Sequence, residues 1–255
     1  MLLHSNVFGE GKPFVILHGF LGMGDNWKTH GRLFSEQGFE VHLVDQRNHG
    51  RSFKSNEFDY ELLAEDLFDY CLHKDLENII LLGHSMGGKT AMLFAAKYPK
   101  MVSKLIIADI APRFYPRHHH AILEGLSALD FEEIVTRNEA DEVLSKYVSH
   151  VPTRQFLLKN VYWIEPGKLA LRINLKALIE NIDEIGIALP SLTVFDGKTL
   201  FLKGENSGYI SEDDRALIEA HFPRAIIKIV KNAGHWLHAE NPTDFYEHVA
   251  SFLEN

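Results

Sequence analysis

The sequence predicts an α/β fold in which helices cover both faces of a mostly parallel central sheet. Three observations lead there. Short apolar runs rich in β-branched residues recur at 14–17, 41–44, 79–82 and 105–108. Each of the first three is followed by a loop and then a stretch of helical periodicity, the alternation that parallel strands with helical crossovers require. The same rhythm returns near the C-terminus, with runs at 200–202 and 225–230 and an amphipathic helix over 242–253.

Taken in order, the run 14–17 leads into His18-Gly19-Phe20-Leu21-Gly22, and the run 41–44 into a polar loop over 45–52. A helix is expected over 60–73, where Leu62, Leu63, Leu67, Phe68 and Leu72 recur at helical spacing. Cys71, the single cysteine, sits among them as a small buried hydrophobe, and alone it forms neither an intramolecular disulfide nor a cysteine zinc cluster. The strand at 78–82 passes through a glycine-rich turn into a helix over 89–98. From 112 to 190 the strand rhythm stops and helical patterns follow at 120–129, 131–148, 153–162 and 175–185. A helical insert between two strands cannot fill the sheet's core. It is expected to lie over the carboxyl ends of the strands, where such folds bind ligands. The expected division is therefore a core of residues 1–111 and 191–255 and a helical cap of residues 112–190, inserted before the penultimate strand. In the last helix Asn241 is the expected N-cap, with Pro242 at the first helical position.

Composition narrows the function. The 255 residues are 45% hydrophobic and 24% charged, with a formal net charge of -9 and no block of Lys or Arg. Nucleic acid and anionic membrane surfaces are poor partners for such a chain. Residues 1–11 lack a basic segment followed by an apolar run, and no apolar stretch reaches membrane-spanning length, so a cytoplasmic enzyme acting on small molecules is expected.

Chemistry concentrates at Gly83-His84-Ser85-Met86-Gly87, a Gly-x-Ser-x-Gly pattern set between a strand and a helix. That is the setting of a nucleophile elbow, in which glycines make room for a sharp, strained turn carrying an exposed serine. Other motifs stand in order around it: His18-Gly19-Phe20-Leu21-Gly22, Asp45-Gln46-Arg47-Asn48-His49-Gly50-Arg51-Ser52, Asp109-Ile110-Ala111-Pro112 and Ala233-Gly234-His235-Trp236. Together they resemble the α/β-hydrolase fold family, and within it the YbfF-type bacterial esterases and their mitochondrial relatives. The resemblance spans nearly the whole chain and is weakest in the cap.

A serine needs a base and the base an orienting acid. Of fifteen histidines, His235 is the candidate base, because it lies in a glycine-containing loop after the last strand, where the family carries its histidine. Many relatives carry the acid just beyond the penultimate strand, but Ser207 occupies that slot here. Asp109, after the preceding strand, is the first candidate and agrees with the family order Ser, acid, His; Glu205 is the second. The resemblance assigns the oxyanion donors to the backbone N–H groups of Phe20 and Met86. Leu21, Tyr115, His118, Tyr162, Trp163 and Trp236 are the expected substrate contacts. His118, His119 and His120 point in different directions if helical, so no metal site is expected, and the chemistry calls for no cofactor. Arg47, Asn48 and His49 are expected to brace the loops. The implied function is a serine hydrolase of short- to medium-chain carboxylic esters, extending to acyl-CoA thioesters. The alternatives are a carbon–carbon hydrolase or lyase on the same residues, and a non-catalytic ligand-binding protein of the same fold.

Overall fold

The computed structural model describes residues 1–254. Strands β1 (Ser5–Phe8), β2 (Lys12–Leu17), β3 (Phe39–Val44), β4 (Ile79–His84) and β5 (Val102–Ala108) precede the insert. Within the insert lie β6 (Val161–Glu165) and β7 (Lys168–Leu171), and after it β8 (Thr199–Gly204) and β9 (Ala225–Val230). Among the described residues the main sheet has seven strands in the order β1-β3-β2-β4-β5-β8-β9, all parallel except β1, which runs antiparallel on the edge.

Alternate residues along each strand serve opposite faces. Val15, Leu17, Leu81, Leu105, Ile107 and Phe201 point into one apolar cluster, while Phe14, Ile16, Ile80, Leu82, Ile106 and Leu200 point into the other. Helix α1 (Lys28–Ser35) adds Phe34 to the second cluster. α2 (Tyr60–His73) and α3 (Met86–Lys97) cover the first, contributing Leu63, Leu67, Met92 and Phe94. Burial of each large aliphatic side chain contributes roughly 1.5–3 kcal/mol, so a sheet covered on both faces is the favourable solution for strands apolar on both.

The insert between β5 and β8 holds α4 (His120–Ser127), α5 (Arg137–Ser145), α6 (Val151–Leu158), the β6–β7 hairpin, α7 (Leu175–Glu180) and α8 (Ile182–Gly186). It departs from the helical expectation in three places. The pattern over 131–148 yields a helix only from Arg137, because Thr136 accepts a hydrogen bond from the Glu139 N–H and Glu139 answers with its carboxylate, a capping box that fixes the start. The pattern over 153–162 ends at Leu158, and the β-branched and aromatic residues from Val161 pair with β7 across a turn at Gly167, whose φ is +83°. The pattern over 175–185 is broken at Asn181, between α7 and α8.

The chain returns through α9 (Arg215–His221), α10 (Leu237–Glu240) and α11 (Pro242–Glu254). Asn241 caps α11 as expected, its side-chain oxygen accepting from the Asp244 N–H at 3.3 Å. α11 places Phe245 and Val249 in the second cluster beside Phe34. The two ends of the insert are tied together where they leave the core. The Leu189 N–H donates to the Pro112 carbonyl at 2.8 Å, and the buried Lys89 of α3 donates to the carbonyls of Arg113 and Ile187. No helix among the described residues is long and apolar enough to cross a membrane.

Candidate active site

The residues of interest stand one step beyond the carboxyl ends of parallel strands: His18 after β2, Asp45 after β3, Ser85 after β4 and Asp109 after β5. Ser85 has φ +53° and ψ -118°, an unfavourable conformation for a residue with a Cβ, and the turn around it leaves no space. A Cβ on Gly83 would lie 2.1 Å from the Gly87 carbonyl oxygen, and one on Gly87 would lie 2.5 Å from that of His18. The Ser85 N–H donates to the Ala108 carbonyl at 3.0 Å, which ties the turn to the end of β5.

His235 joins Ser85 to Asp109. Its Nε2 is 3.0 Å from Ser85 Oγ and its Nδ1 is 2.8 Å from Asp109 Oδ2. Asp109 is fully buried, with φ +53°. A buried carboxylate needs partners, and it has them: Oδ1 accepts from the Gly204 N–H at 3.0 Å, and Oδ2 also accepts from the Ser207 hydroxyl. Glu205, the second candidate for the acid, turns elsewhere, its Oε2 accepting from the Asn232 N–H at 2.7 Å. Ser207, in the loop after the neighbouring strand β8, thus supports the Asp109 carboxylate.

His235 is also held through its main chain. His84 Nε2–H donates to the His235 carbonyl at 2.8 Å. The Glu240 carboxylate accepts from the N–H groups of Gly234 and Trp236 at 2.7 and 3.2 Å.

The loop carrying Phe20 is gripped from three sides. The Gly22 N–H donates to the Gly19 carbonyl at 3.0 Å, and the Leu21 N–H donates to His49 Nε2 at 3.2 Å. From the insert, Asn160 Nδ2 donates to the Leu21 carbonyl at 2.8 Å. Arg47 meets the Asp66 carboxylate with two nitrogens, at 2.5 and 2.8 Å. Arg47 thus ties the loop of residues 45–52 to α2, and His49 ties it to the Phe20 loop. Met86 opens α3, so its N–H has no acceptor within the helix.

A cavity of about 480 Å³ lies against Ser85 and His235, within the usual size of small-molecule sites. Leu21, His118 and Trp236 line it, together with Phe156 of α6. A second, small chamber of about 40 Å³ also touches Ser85, between Phe20, Met86, Tyr115 and His118. Tyr162 and Trp163 line neither. Both sit on β6, where Tyr162 packs against the Arg172 guanidinium, 4.2 Å from its ring centroid, and Trp163 is half exposed. Both were expected substrate contacts, and the β6–β7 hairpin places them outside the two chambers. His118, His119 and His120 go to separate partners: the Tyr209 hydroxyl, the edge of Phe20 and Glu124. Nothing in the residue pattern marks Tyr209, which lines both chambers and lies on the His235 ring; the contact is made only by the folded loop after β8.

Beneath the site lie neutral imidazoles. Burial lowers the pKa of His18 and His30 to about 4 and of His49 and His84 to about 3. The backbone fixes two of them: His18 Nε2 accepts from the Gln46 N–H at 3.0 Å, and His49 Nε2 from the Leu21 N–H. The unfolded chain takes up these protons near pH 6.5 and the folded chain only near pH 4 to 3, so between those values the unfolded state binds more protons. Acidification through that window favours unfolding, by about 1.4 kcal/mol per pH unit for each such proton. Urea denaturation is expected to show a clearly lower midpoint at pH 5 than at pH 7; equal midpoints would contradict the burial of neutral histidines.

A parallel sheet with a strained serine turn, a histidine after the last strand and an insert over the strand ends is the architecture of an α/β hydrolase. A family model described as alpha/beta hydrolase fold matches residues 12–134. The mouse sn-1-specific diacylglycerol lipase ABHD11 is 37% identical over 94% of this chain and 80% of its own length. Esterase YbfF of Escherichia coli is 31% identical over 95% of this chain and 93% of its own. Among solved structures, a marine microorganism esterase superposes with a TM-score of 0.96 at 41% identity, covering 99% of both chains. The chain belongs to the α/β-hydrolase fold family, as a hydrolase with esterase and lipase relatives.

Proposed function

We propose that the protein hydrolyses short- to medium-chain carboxylic esters through an acyl-enzyme on Ser85. The observation that carries this reading is the unbroken hydrogen-bond chain from Ser85 through His235 to the buried Asp109 carboxylate, at the wall of the larger cavity. Ser85 Oγ attacks the acyl carbonyl carbon as His235 Nε2 takes its proton, and Asp109 stabilises the imidazolium that results. The negative charge on the carbonyl oxygen rests on the Phe20 and Met86 N–H groups. The intermediate collapses, His235 returns its proton to the leaving alcohol, and the acyl group remains on Ser85. A water then gives a proton to His235 and attacks the acyl carbon, releasing the acid and restoring the Ser85 hydroxyl.

A cavity of about 480 Å³ supports small esters over long-chain lipids. Leu21, Phe156 and Trp236 supply apolar walls for the substrate, and Tyr115 shapes the small chamber on the other side of the serine. The reaction needs no cofactor. A hydrolysis profile over p-nitrophenyl esters from acetate to palmitate, with the matching acyl-CoAs, tests the reading. Turnover is expected to peak between two and eight acyl carbons. A peak at palmitate would overturn the chain-length assignment, and turnover of acyl-CoAs alone would make the enzyme a thioesterase. If folded protein turned over neither class, the esterase reading would fail.

A further inference from the structure

The ring of Tyr209 lies flat on the imidazole of His235, with centroids 3.7 Å apart and planes inclined by 13°. Two neutral electron-rich rings gain little from so close a face-to-face contact and prefer offset or edge-on arrangements. A cation over the same phenol face is attracted by the ring's quadrupole. The geometry therefore suits His235 better as an imidazolium than as an imidazole. On the proposed mechanism, the imidazolium is the form present when charge develops in both half-reactions.

Tyr209 is held from several sides. His118 Nδ1–H donates to the Pro116 carbonyl at 3.0 Å, which leaves His118 Nε2 to accept from the Tyr209 hydroxyl. Burial pushes the Tyr209 phenol up to about 12, so it stays a donor across the working pH range. Donation toward His118 enriches the ring in electron density. The Tyr209 main chain is fixed as well: its N–H donates to Ser207 Oγ at 3.2 Å, and its carbonyl accepts from the Tyr115 hydroxyl at 2.5 Å. Ser207 in turn donates to Asp109. One loop after β8 thus supports both the acid and the face of the base.

We propose that Tyr209 is a positioning residue for His235, its ring face stabilising the imidazolium and fixing the imidazole plane, with His118 holding the phenol in place. This inference rests on the proposed acyl-enzyme chemistry for its kinetic consequence, but not for the stack itself. An interaction stronger with the charged base acts on the transition state more than on bound substrate, so its loss falls on kcat rather than on KM.

The test is an NMR titration of the His235 imidazole, paired with p-nitrophenyl acetate kinetics, in the wild type, Tyr209→Phe and Tyr209→Leu. The other groups acting on His235 are left in place: Asp109 at its Nδ1, His84 with ring centroids 4.8 Å away, and His119 and His238 nearby. Tyr209→Leu is expected to lower the His235 pKa by about one pH unit and kcat by roughly 5- to 30-fold, a range set by cation–π contacts, with KM within about threefold. Tyr209→Phe, which keeps the face, should stay within about threefold of wild type in kcat. Phenylalanines with increasing ring fluorination at position 209 keep the shape while emptying the π face, so they remain informative if the leucine variant does not fold; the His235 pKa should fall stepwise along that series. An unchanged His235 pKa in Tyr209→Leu, or a flat fluorination series, would overturn the proposal. The titration needs no substrate, so absence of ester turnover in the wild type would sink the proposed function while the stack is still judged by the pKa values.

Discussion

Ser85→Ala is expected to reduce p-nitrophenyl acetate turnover by on the order of 10⁴- to 10⁶-fold, the range seen when a nucleophile activated by a neighbouring base is removed. The substitution deletes only Oγ. The features that hold the turn are main-chain contacts: the Ser85 N–H to the Ala108 carbonyl, the Lys89 N–H to the Ser85 carbonyl, and the crowding at Gly83 and Gly87. Alanine keeps the Cβ and so keeps the strained φ of +53°. Stability should therefore change by less than about 1 kcal/mol, as for substitutions that open no large cavity and orphan no buried group. Loss of turnover with an unchanged melting temperature separates a chemical role from a structural one. Residual activity within tenfold of wild type would mean that another group carries the acyl transfer.

Asp109→Asn should be nearly as damaging, lowering kcat by about 10³- to 10⁴-fold, as when an orienting carboxylate becomes an amide. The carboxylate accepts from His235 Nδ1, and that bond leaves Nε2 unprotonated and able to take the Ser85 proton. An amide nitrogen in its place would donate toward Nδ1, and the imidazole would then carry its proton on Nε2, where it blocks proton transfer from serine. The amide oxygen would still accept from the Gly204 N–H, but the amide nitrogen would face the Ser207 hydroxyl, which loses its acceptor. Glu205→Gln is the matched control. The Glu205 carboxylate is exposed and accepts from the Asn232 N–H, so its amide variant should stay within about threefold of wild type, as exposed substitutions do. Equal losses in the two variants would contradict the assignment of Asp109 as the acid.

Much of this arrangement was legible in the residues. The strand runs are short and apolar on both faces, and the sheet that buries them leaves few other topologies. The Gly-x-Ser-x-Gly turn can be read because its glycines answer a local steric demand. Asp109 and Glu205 could not be separated by pattern, since the choice depends on which carboxylate the folded His235 loop meets. The insert was harder. Val161, Tyr162, Trp163 and Ile164 satisfy a helical and a strand pattern almost equally over so short a span, and the turn at Gly167 decides between them. β1 leaves little trace in the sequence, because an edge strand of four residues, none of them fully buried, carries almost no periodicity. Tyr209 and Asn160 act through contacts that join the loop after β8 to His235 and the insert to the Phe20 loop. No local pattern encodes such contacts.

The measurement that tests the central claim most directly is covalent labelling by a fluorophosphonate, followed by peptide mapping of the adduct. A serine activated by His235 should yield a single adduct on Ser85, absent from Ser85→Ala and formed far more slowly in Asp109→Asn. Folded wild-type protein that takes up no label, or takes it up at another residue, would contradict the assignment of Ser85 as the nucleophile.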